Sequence, residues 1–325
     1  ASASMELSCA FAARPDLPEL VAHAEQLGYT RAWVYDSPAL YGDVWMSLAR
    51  CADRTSTIGL GPAVLVPSLR HPMVNAAAIA TLEQLAPGRT AVALGTGFTG
   101  RYVLGQQPMT WAATEQYLSQ LIGLLRGEVV VIDGAPTEMI HPEGYVADRP
   151  LFTPILVGAN GPKGLAVAER VGADGVVSIF GGQAGWDWCS LFAYGTVLDD
   201  GETLADERVL DAAGPGAAVV FHGMYEADPA LLDAFEGGPE WRDAIERFPA
   251  AERHLHTHRE HFVGMTDRDL ASVTPDLIGS TTWTGTAAEL RARLDDAAAS
   301  GVSELMYAPM GSDRRRELEA FRSLF

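Results

Sequence analysis

Short apolar runs alternate with longer amphipathic runs along almost the whole chain. Most of the short runs are continuously apolar, which is typical of strands covered on both faces in a parallel sheet. They predict eight strands, at residues 6–12, 31–36, 58–63, 90–95, 155–157, 175–179, 217–222 and 303–308. The amphipathic runs predict helices at 17–27, 44–55, 72–85, 111–125, 162–171, 186–198, 204–213 and 287–300, with a helical insert over 229–263.

Eight strand–helix units in 325 residues predict a (β/α)8 TIM barrel with insertions. One insertion is a β-hairpin over residues 129–144, turned at Asp133-Gly134. The alternative is an open doubly wound sheet with a helical cap. No Pro/Ser-rich linker divides the chain, so residues 5–325 are expected to form a single domain, and residues 1–4 a cloning remnant before Met5.

Charge and cysteine content exclude several classes of function. The formal net charge of −19 repels nucleic acid and anionic membranes. No run of about 18 apolar residues is present, so no membrane span is expected. Cys9, Cys51 and Cys189 are too far apart in sequence to indicate a disulfide framework or a zinc site. We therefore expect a cytoplasmic protein without nucleic-acid or membrane partners.

The segment Gly95-Thr96-Gly97-Phe98-Thr99-Gly100 matches the dinucleotide fingerprint G-x-G-x-x-G, but its context is wrong. It follows the fourth strand instead of the first, and residues 101–108 do not predict the helix whose N-terminus would hold a pyrophosphate. A glycine-rich loop at the barrel mouth, which lets backbone approach a flat ring closely, is the preferred interpretation.

A second glycine-rich loop, from Gly158 to Gly164, lies between the fifth strand and its helix. Pro162 suits a first helical turn, and the free N–H groups there favour an anion such as phosphate. The loop from Ser178 to Gly182 adds exposed backbone after the sixth strand. An ordinary short βα loop is the alternative.

Polar and aromatic side chains at the predicted strand ends are candidates for a site at the barrel mouth. Asp36 ends the second strand and either points into the mouth or caps the next turn. His71 is either a proton donor or a loop histidine with satisfied hydrogen bonds. Four aromatic residues are candidates for a substrate pocket or for the core: Tyr41, Phe98, Tyr102 and Tyr307.

The histidine-rich stretch could be taken for a metal site. On a helix, His254, His258 and His261 would share one face. No H-E-x-x-H motif accompanies them, and no His-x-His occurs on the first strand, so no metal is predicted. The chain also lacks the G-x-S-x-G motif of a serine hydrolase.

Several segments together resemble the luciferase-like monooxygenase family. They are 24–36, 56–61 with Arg70-His71-Pro72, 78–89 with 94–97, and 158–163 with 173–176. The resemblance implies a barrel with reduced FMN or the deazaflavin coenzyme F-420 at its carboxyl end. It looks closest to the methylenetetrahydromethanopterin reductase-like branch. Ser37 and Phe98 replace a histidine and a glutamate of the sugar-phosphate dehydrogenase branch.

The resemblance also implies which residues line the cofactor. These are Asp36, Pro62, Ala63, Gly95, Thr96, Gly97, Gly158, Ala159, Asn160, Gly161, Ser178, Gly181 and Gly182. Asp36 and His71 are then the candidate polar residues beside the ring.

The implied function is that of an oxidoreductase, with a monooxygenase favoured, in which reduced FMN and O2 oxygenate a small organic substrate. The alternatives are an F-420-dependent reductase or dehydrogenase, a metal-dependent barrel hydrolase, and a non-catalytic ligand-binding barrel. A flavin reductase or F-420 reductase would supply the reduced cofactor, and family members often form homodimers.

Overall fold

The computed structural model describes residues 5–325, so the remnant expected at residues 1–4 lies outside the described residues. The strands are β1 (Glu6–Phe11), β2 (Arg31–Val34), β3 (Gly59–Pro62), β4 (Val92–Leu94), β5 (Val130–Ile132), β6 (Ala135–Thr137), β7 (Ile155–Gly158), β8 (Gly175–Ser178), β9 (Cys189–Tyr194) and β10 (Glu304–Ala308). Eight of them form a parallel sheet in the order β3-β2-β1-β10-β9-β8-β7-β4. Bridges from Leu60 to Thr90 and from Leu65 to Leu94 close this sheet into the predicted barrel.

Helices follow most of the barrel strands. They are α1 (Leu17–Leu27), α2 (Val44–Arg54), α3 (Pro72–Leu85), α4 (Thr99–Tyr102), α5 (Trp111–Leu125), α6 (Pro162–Arg170), α7 (Glu207–Ala227), α8 (Gly238–Glu246), α9 (His254–Thr257), α10 (Asp267–Ser272), α11 (Pro275–Thr281), α12 (Ala287–Ala299) and α13 (Arg314–Arg322). Short 3-10 turns cover Pro67–Leu69, Pro229–Ala234 and Ala250–Glu252. None of the helices within residues 5–325 has the length and apolar character needed to cross a membrane.

Local sequence signals account for many of these boundaries. Thr110 accepts a hydrogen bond from the Ala113 N–H and so begins α5, and Thr286 forms a capping box with Glu289 at the start of α12. The hairpin of β5 and β6 turns at Asp133 and Gly134, both with positive φ, as the sequence predicts.

The barrel interior is filled at its amino end and left open at its carboxyl end. Glu304, the first residue of β10, is buried and accepts hydrogen bonds from the indole N–H groups of Trp33 (2.8 Å) and Trp188 (2.6 Å). Above it lie smaller or flexible side chains, including Ala93 and Met306. This layering closes one end of the barrel and leaves space only at the end where the βα loops meet.

The seventh barrel strand is not where the sequence pattern placed it. Residues 217–222, predicted as a strand, lie within α7, while Cys189–Tyr194, predicted as helical, forms β9. Both stretches are almost fully buried, and a buried apolar run has no periodicity that distinguishes strand from helix. The insert between β9 and α12 packs around its own apolar core, which includes Phe221, Trp241 and Ile278.

Candidate functional site

A cavity of about 220 Å³ lies at the carboxyl end of the barrel. Its wall is apolar with a few polar groups, and it is built by βα loops, by strands β9 and β10 and by the segment that follows α9. The lining residues are Tyr35, Asp36, Ser37, Tyr41, Ala63, Val64, Val66, Gly95 to Gly100, Gly158, Asn160, Val177, Ile179, Phe192, His261, Phe262 and Met306.

Small residues give one side of this cavity the shape of a slot. Val64 follows Ala63 through a cis peptide bond and lies between two glycines. A Cβ atom on Gly95 would come within 3.0 Å of a Val64 methyl group, and one on Gly158 within 3.5 Å. Larger side chains at these two positions would therefore narrow the slot. With glycine at both positions, the slot has the shape that a flat ring requires. Pro62, in contrast, lies within β3 and does not contribute to the lining.

Asp36 lines the cavity, but its carboxylate is already engaged. Arg70 donates two hydrogen bonds to it, at 2.8 and 3.0 Å, and the Val66 N–H donates a third at 3.0 Å. The side chain of Asp36 is 1% exposed. Both carboxylate oxygens are engaged in these contacts, so Asp36 connects the loop after β2 to the loop after β3.

The loop after β7 joins the cavity to the start of α6. Asn160 accepts hydrogen bonds from the Ile179 N–H (2.8 Å) and from the Ser178 hydroxyl (3.2 Å), which ties the loops after β7 and β8 together. Gly161 is the N-cap of α6 and has no capping side chain. No side chain therefore competes with an anion for the first N–H groups of this helix. Ala159 is buried behind the loop.

Gly181 and Gly182 do not lie beside this loop. The Gly182 N–H donates to the hydroxyl of Ser300, just past the end of α12, which is at the amino end of the barrel. The chain runs from β8 to β9 without an intervening helix. Gly181 and Gly182 therefore lie on the segment that leads from the barrel mouth back to its amino end. The expectation that these two glycines line a cofactor is corrected accordingly, whereas Ser178 remains near the mouth through Asn160.

His71 also lies away from the cavity lining. Its Nδ1 accepts a hydrogen bond from the Met73 N–H, so the side chain caps α3, and the residue is exposed. Of the two interpretations left open by the sequence, the structure favours the loop histidine with satisfied hydrogen bonds.

The four aromatic candidates lie in three different surroundings. Tyr41 and Phe98 line the cavity, while Tyr102 stacks on His258 at a ring distance of 6.0 Å. Tyr307 is a core residue, because it stacks on Phe321 and donates its hydroxyl hydrogen to the Gly195 carbonyl. Its assignment to the substrate pocket is therefore wrong: the pleat of β10 turns Met306 inward and Tyr307 outward.

Sequence reasoning missed a buried cluster beside the cavity. His222, His258 and His261 bring their Nδ1 atoms together, with His222 in place of the predicted His254. Residues 254–257 form only the single turn α9, so the expected helix face does not extend to His258 and His261. Burial lowers the pKa of His222 and lowers that of His261 well below its ordinary value.

The chain can now be compared with known proteins. The model of the family described as "Luciferase-like monooxygenase" matches residues 5–188, more than half of the chain. A first relative, the 5,10-methylenetetrahydromethanopterin reductase of Methanolobus tindarius, is 34% identical over 161 residues, and the match spans just under half of each chain (47%). The same enzyme from Archaeoglobus fulgidus is 25% identical over 94% of this chain and 92% of that protein.

A third relative is the F-420-dependent glucose-6-phosphate dehydrogenase of Beutenbergia cavernae, 33% identical over 71% of this chain and 67% of that protein.

Two solved structures share the fold at low sequence identity. The coenzyme F-420-dependent tetrahydromethanopterin reductase of Methanopyrus kandleri superposes with a TM-score of 0.71 at 18% identity, over 98% of both chains. The oxygenating constituent of 3,6-diketocamphane monooxygenase from Pseudomonas putida, in complex with FMN, gives 0.60 at 14% identity, over 98% of this chain and 97% of that one. Because the family model matches more than half of the chain, the chain belongs to the luciferase-like monooxygenase family of oxidoreductases.

Proposed function

We propose that the protein is an oxidoreductase that uses the deazaflavin coenzyme F-420 to transfer a hydride to or from a small organic substrate. The observation that carries the choice of F-420 is the 33% identity to a dehydrogenase named for that coenzyme, over two thirds of that protein. The family resemblance of the sequence favoured FMN, with F-420 as the alternative; we place F-420 first because this relative is named for that coenzyme.

The residues of the cavity fit such a cofactor. The slot between Ala63-Val64 and the glycines Gly95 and Gly158 accommodates a flat ring. Thr96, Gly97 and Asn160 complete its polar edge. The uncapped start of α6 at Gly161 offers N–H groups and a helix dipole to the anionic tail.

When bound, the deazaflavin supplies two-electron hydride chemistry, and the chain positions and shields the reacting atoms. Phe192, Phe262 and Met306 form an apolar floor that excludes water from the ring. The Tyr41 hydroxyl donates to the His261 carbonyl and so holds the outer wall against the mouth. Asp36 and Arg70 act indirectly, by fixing the loops that shape the slot.

Anaerobic titration of the protein with reduced F-420 and, separately, with reduced FMN tests this proposal. We expect reduced F-420 to bind at least about ten times more tightly, a difference of about 1.4 kcal/mol, and its oxidation in air to be no faster with protein than without. Gly158→Leu, which fills the slot, tests whether the cofactor binds there and should abolish binding. The melting temperature of this variant shows whether it is folded. Failure of both cofactors to bind would reject the proposal.

A monooxygenase that uses reduced FMN and O2 is the second candidate. It is favoured by the fold shared with an FMN-complexed monooxygenase. Tighter binding of reduced FMN, followed by oxygen-dependent oxidation of a substrate, would establish it in place of the F-420 enzyme. Under either proposal a separate reductase supplies the reduced cofactor, and the three buried free thiols fit a reducing cytoplasm.

A further inference from the structure

Three buried histidines beside the cavity point their Nδ1 atoms at one another. His222 comes from α7, and His258 and His261 come from the segment after α9. The Nδ1 atom of His261 lies 2.9 Å from that of His222 and 3.3 Å from that of His258. His222 and His261 are 39 residues apart in the sequence, so the fold brings the three rings together from two distant parts of the chain.

The opposite nitrogen of each ring has its own hydrogen-bond partner. His222 Nε2 lies 3.3 Å from the Asp269 carboxylate, and His258 Nε2 lies 3.0 Å from the Glu226 carboxylate. His261 Nε2 lies 3.3 Å from the Thr99 hydroxyl. The two carboxylates accept N–H bonds, so the protons of His222 and His258 sit on Nε2 and their Nδ1 lone pairs face the common centre.

We propose that His222, His258 and His261 bind one zinc-class divalent transition-metal ion through their Nδ1 atoms. In tetrahedral coordination with Zn–N distances of about 2.0–2.1 Å, neighbouring ligand nitrogens lie about 3.3 Å apart. Two of the three Nδ1–Nδ1 separations, 2.9 and 3.3 Å, are already close to that value, and all three possible ligand atoms lie within 4.8 Å of one another. This departs from the sequence-based expectation of no metal.

The surroundings of the cluster suit a dication. Imidazole is a preferred ligand of Zn²⁺ and its neighbours in the first transition row. A carboxylate on the far nitrogen of a ligating histidine fixes its orientation and makes it a better donor, as Asp269 and Glu226 are placed to do. The two carboxylates also balance the charge of the ion. The indole N–H of Trp241 donates to Asp269 at 2.8 Å and holds that carboxylate in place.

The metal would fasten the outer wall of the cavity. His261 and its neighbour Phe262 line the cavity, Thr99 belongs to α4 on the opposite loop, and His222 belongs to the core of the insert. One ion bound here would join α7 of the insert to the segment that carries His261, and the hydrogen bond between His261 and Thr99 would connect both to α4. The site does not depend on which cofactor the cavity accepts.

Metal binding by the full-length protein tests the proposal directly. Protein stripped with a chelator is titrated with Zn²⁺ against a chromophoric chelator, and with Co²⁺ monitored by visible absorption. We expect one equivalent of each, with the intense Co²⁺ bands of a tetrahedral nitrogen site. His222→Gln should remove the binding, and Asp269→Asn should weaken it about 10- to 100-fold. His254→Gln, which replaces a histidine of α9 outside the cluster, is the control and should bind metal like the natural chain.

Circular dichroism establishes whether each variant folds, and if His222→Gln does not, the stoichiometry and Co²⁺ spectrum of the natural chain decide the question. Less than about a tenth of an equivalent of metal, or Co²⁺ bands of an octahedral aqua complex, would overturn the proposal. So would equal affinity of the folded His222→Gln and His254→Gln variants, because the metal would then be bound elsewhere. In that case the cluster is a proton-sharing network in which His261 Nδ1–H is divided between the other two rings.

Discussion

Arg70 and Asp36 form a two-point ion pair under the wall of the cavity, with Nη1–Oδ2 and Nη2–Oδ1 distances of 2.8 and 3.0 Å. The two side chains are 12% and 1% exposed, so neither charge can regain water if its partner is removed. Asp43 lies 3.5 Å from the same guanidinium. The pair joins the loop after β2 to the 3-10 turn after β3.

We expect Arg70→Met to destabilise the protein by about 3–5 kcal/mol, because it leaves the Asp36 carboxylate buried with only the Val66 N–H. Arg54 provides a matched control, since it makes an equally regular two-point pair with Glu19 but both side chains are more than half exposed. Arg54→Met should destabilise the protein far less, because both charges of this pair are hydrated with or without their partner. Urea denaturation measures the free energy of unfolding of both variants, and equal losses in the two would contradict this account.

The start of α6 gives a prediction about cofactor binding. Gly161→Asp places a carboxylate at the N-cap, where it both occupies the first N–H groups and repels an anionic tail. We expect cofactor affinity to fall at least about tenfold, or 1.4 kcal/mol, while the helix itself is stabilised. Gly161→Asn has the same shape and capping ability without the charge, so it should bind with intermediate affinity. Fluorescence titration measures the cofactor affinity of the natural chain and of both Gly161 variants. Identical affinities would show that the anionic tail binds elsewhere.

The barrel was predictable because its evidence is local. Continuous apolar runs such as residues 92–94 and 305–308 can be recognised one at a time, and seven of the eight predicted runs are barrel strands, which leaves few possible architectures. The glycine-rich loop at Gly95 and the N-cap at Gly161 depend on neighbouring residues only, and the structure has both at the mouth.

The remaining features of the site arise from contacts between distant residues. Asp36 and Arg70 are 34 positions apart, so the sequence could not indicate that the carboxylate is already paired. His222 lay in an apolar run that was predicted to be a strand, whereas the structure continues α7 through Gly214-Pro215-Gly216 to include it. With that assignment, nothing in the sequence brought His222 near His261.

His71 offers a direct test of the catalytic role that the sequence suggested. As the N-cap of α3 it is expected to act through stability alone, so His71→Asn, which preserves a good cap, should leave cofactor affinity and turnover within about twofold. His71→Ala should lower the free energy of unfolding by about 1 kcal/mol. A large loss of turnover in a fully stable His71→Asn protein would restore a catalytic role.

Acid sensitivity should arise in part from Glu202, which receives hydrogen bonds from Arg208 and the Asp199 N–H. Hydrogen bonds from the Arg208 guanidinium are the main cause that lowers the pKa of Glu202 from its ordinary value near 4.5 to about 2. A lowered folded-state pKa means that the stabilisation is complete above the unfolded value near 4.5 and disappears as pH falls towards 2.

Because solvent screens this pair, its contribution at neutral pH should be about 1 kcal/mol rather than the full shift. Glu202→Gln should therefore be less stable than the natural chain at pH 7, and the gap should close between pH 4.5 and 2. Urea denaturation between pH 7 and pH 2 measures this difference in the free energy of unfolding. A gap for Glu202→Gln that is constant with pH would mean that its effect is steric, not electrostatic.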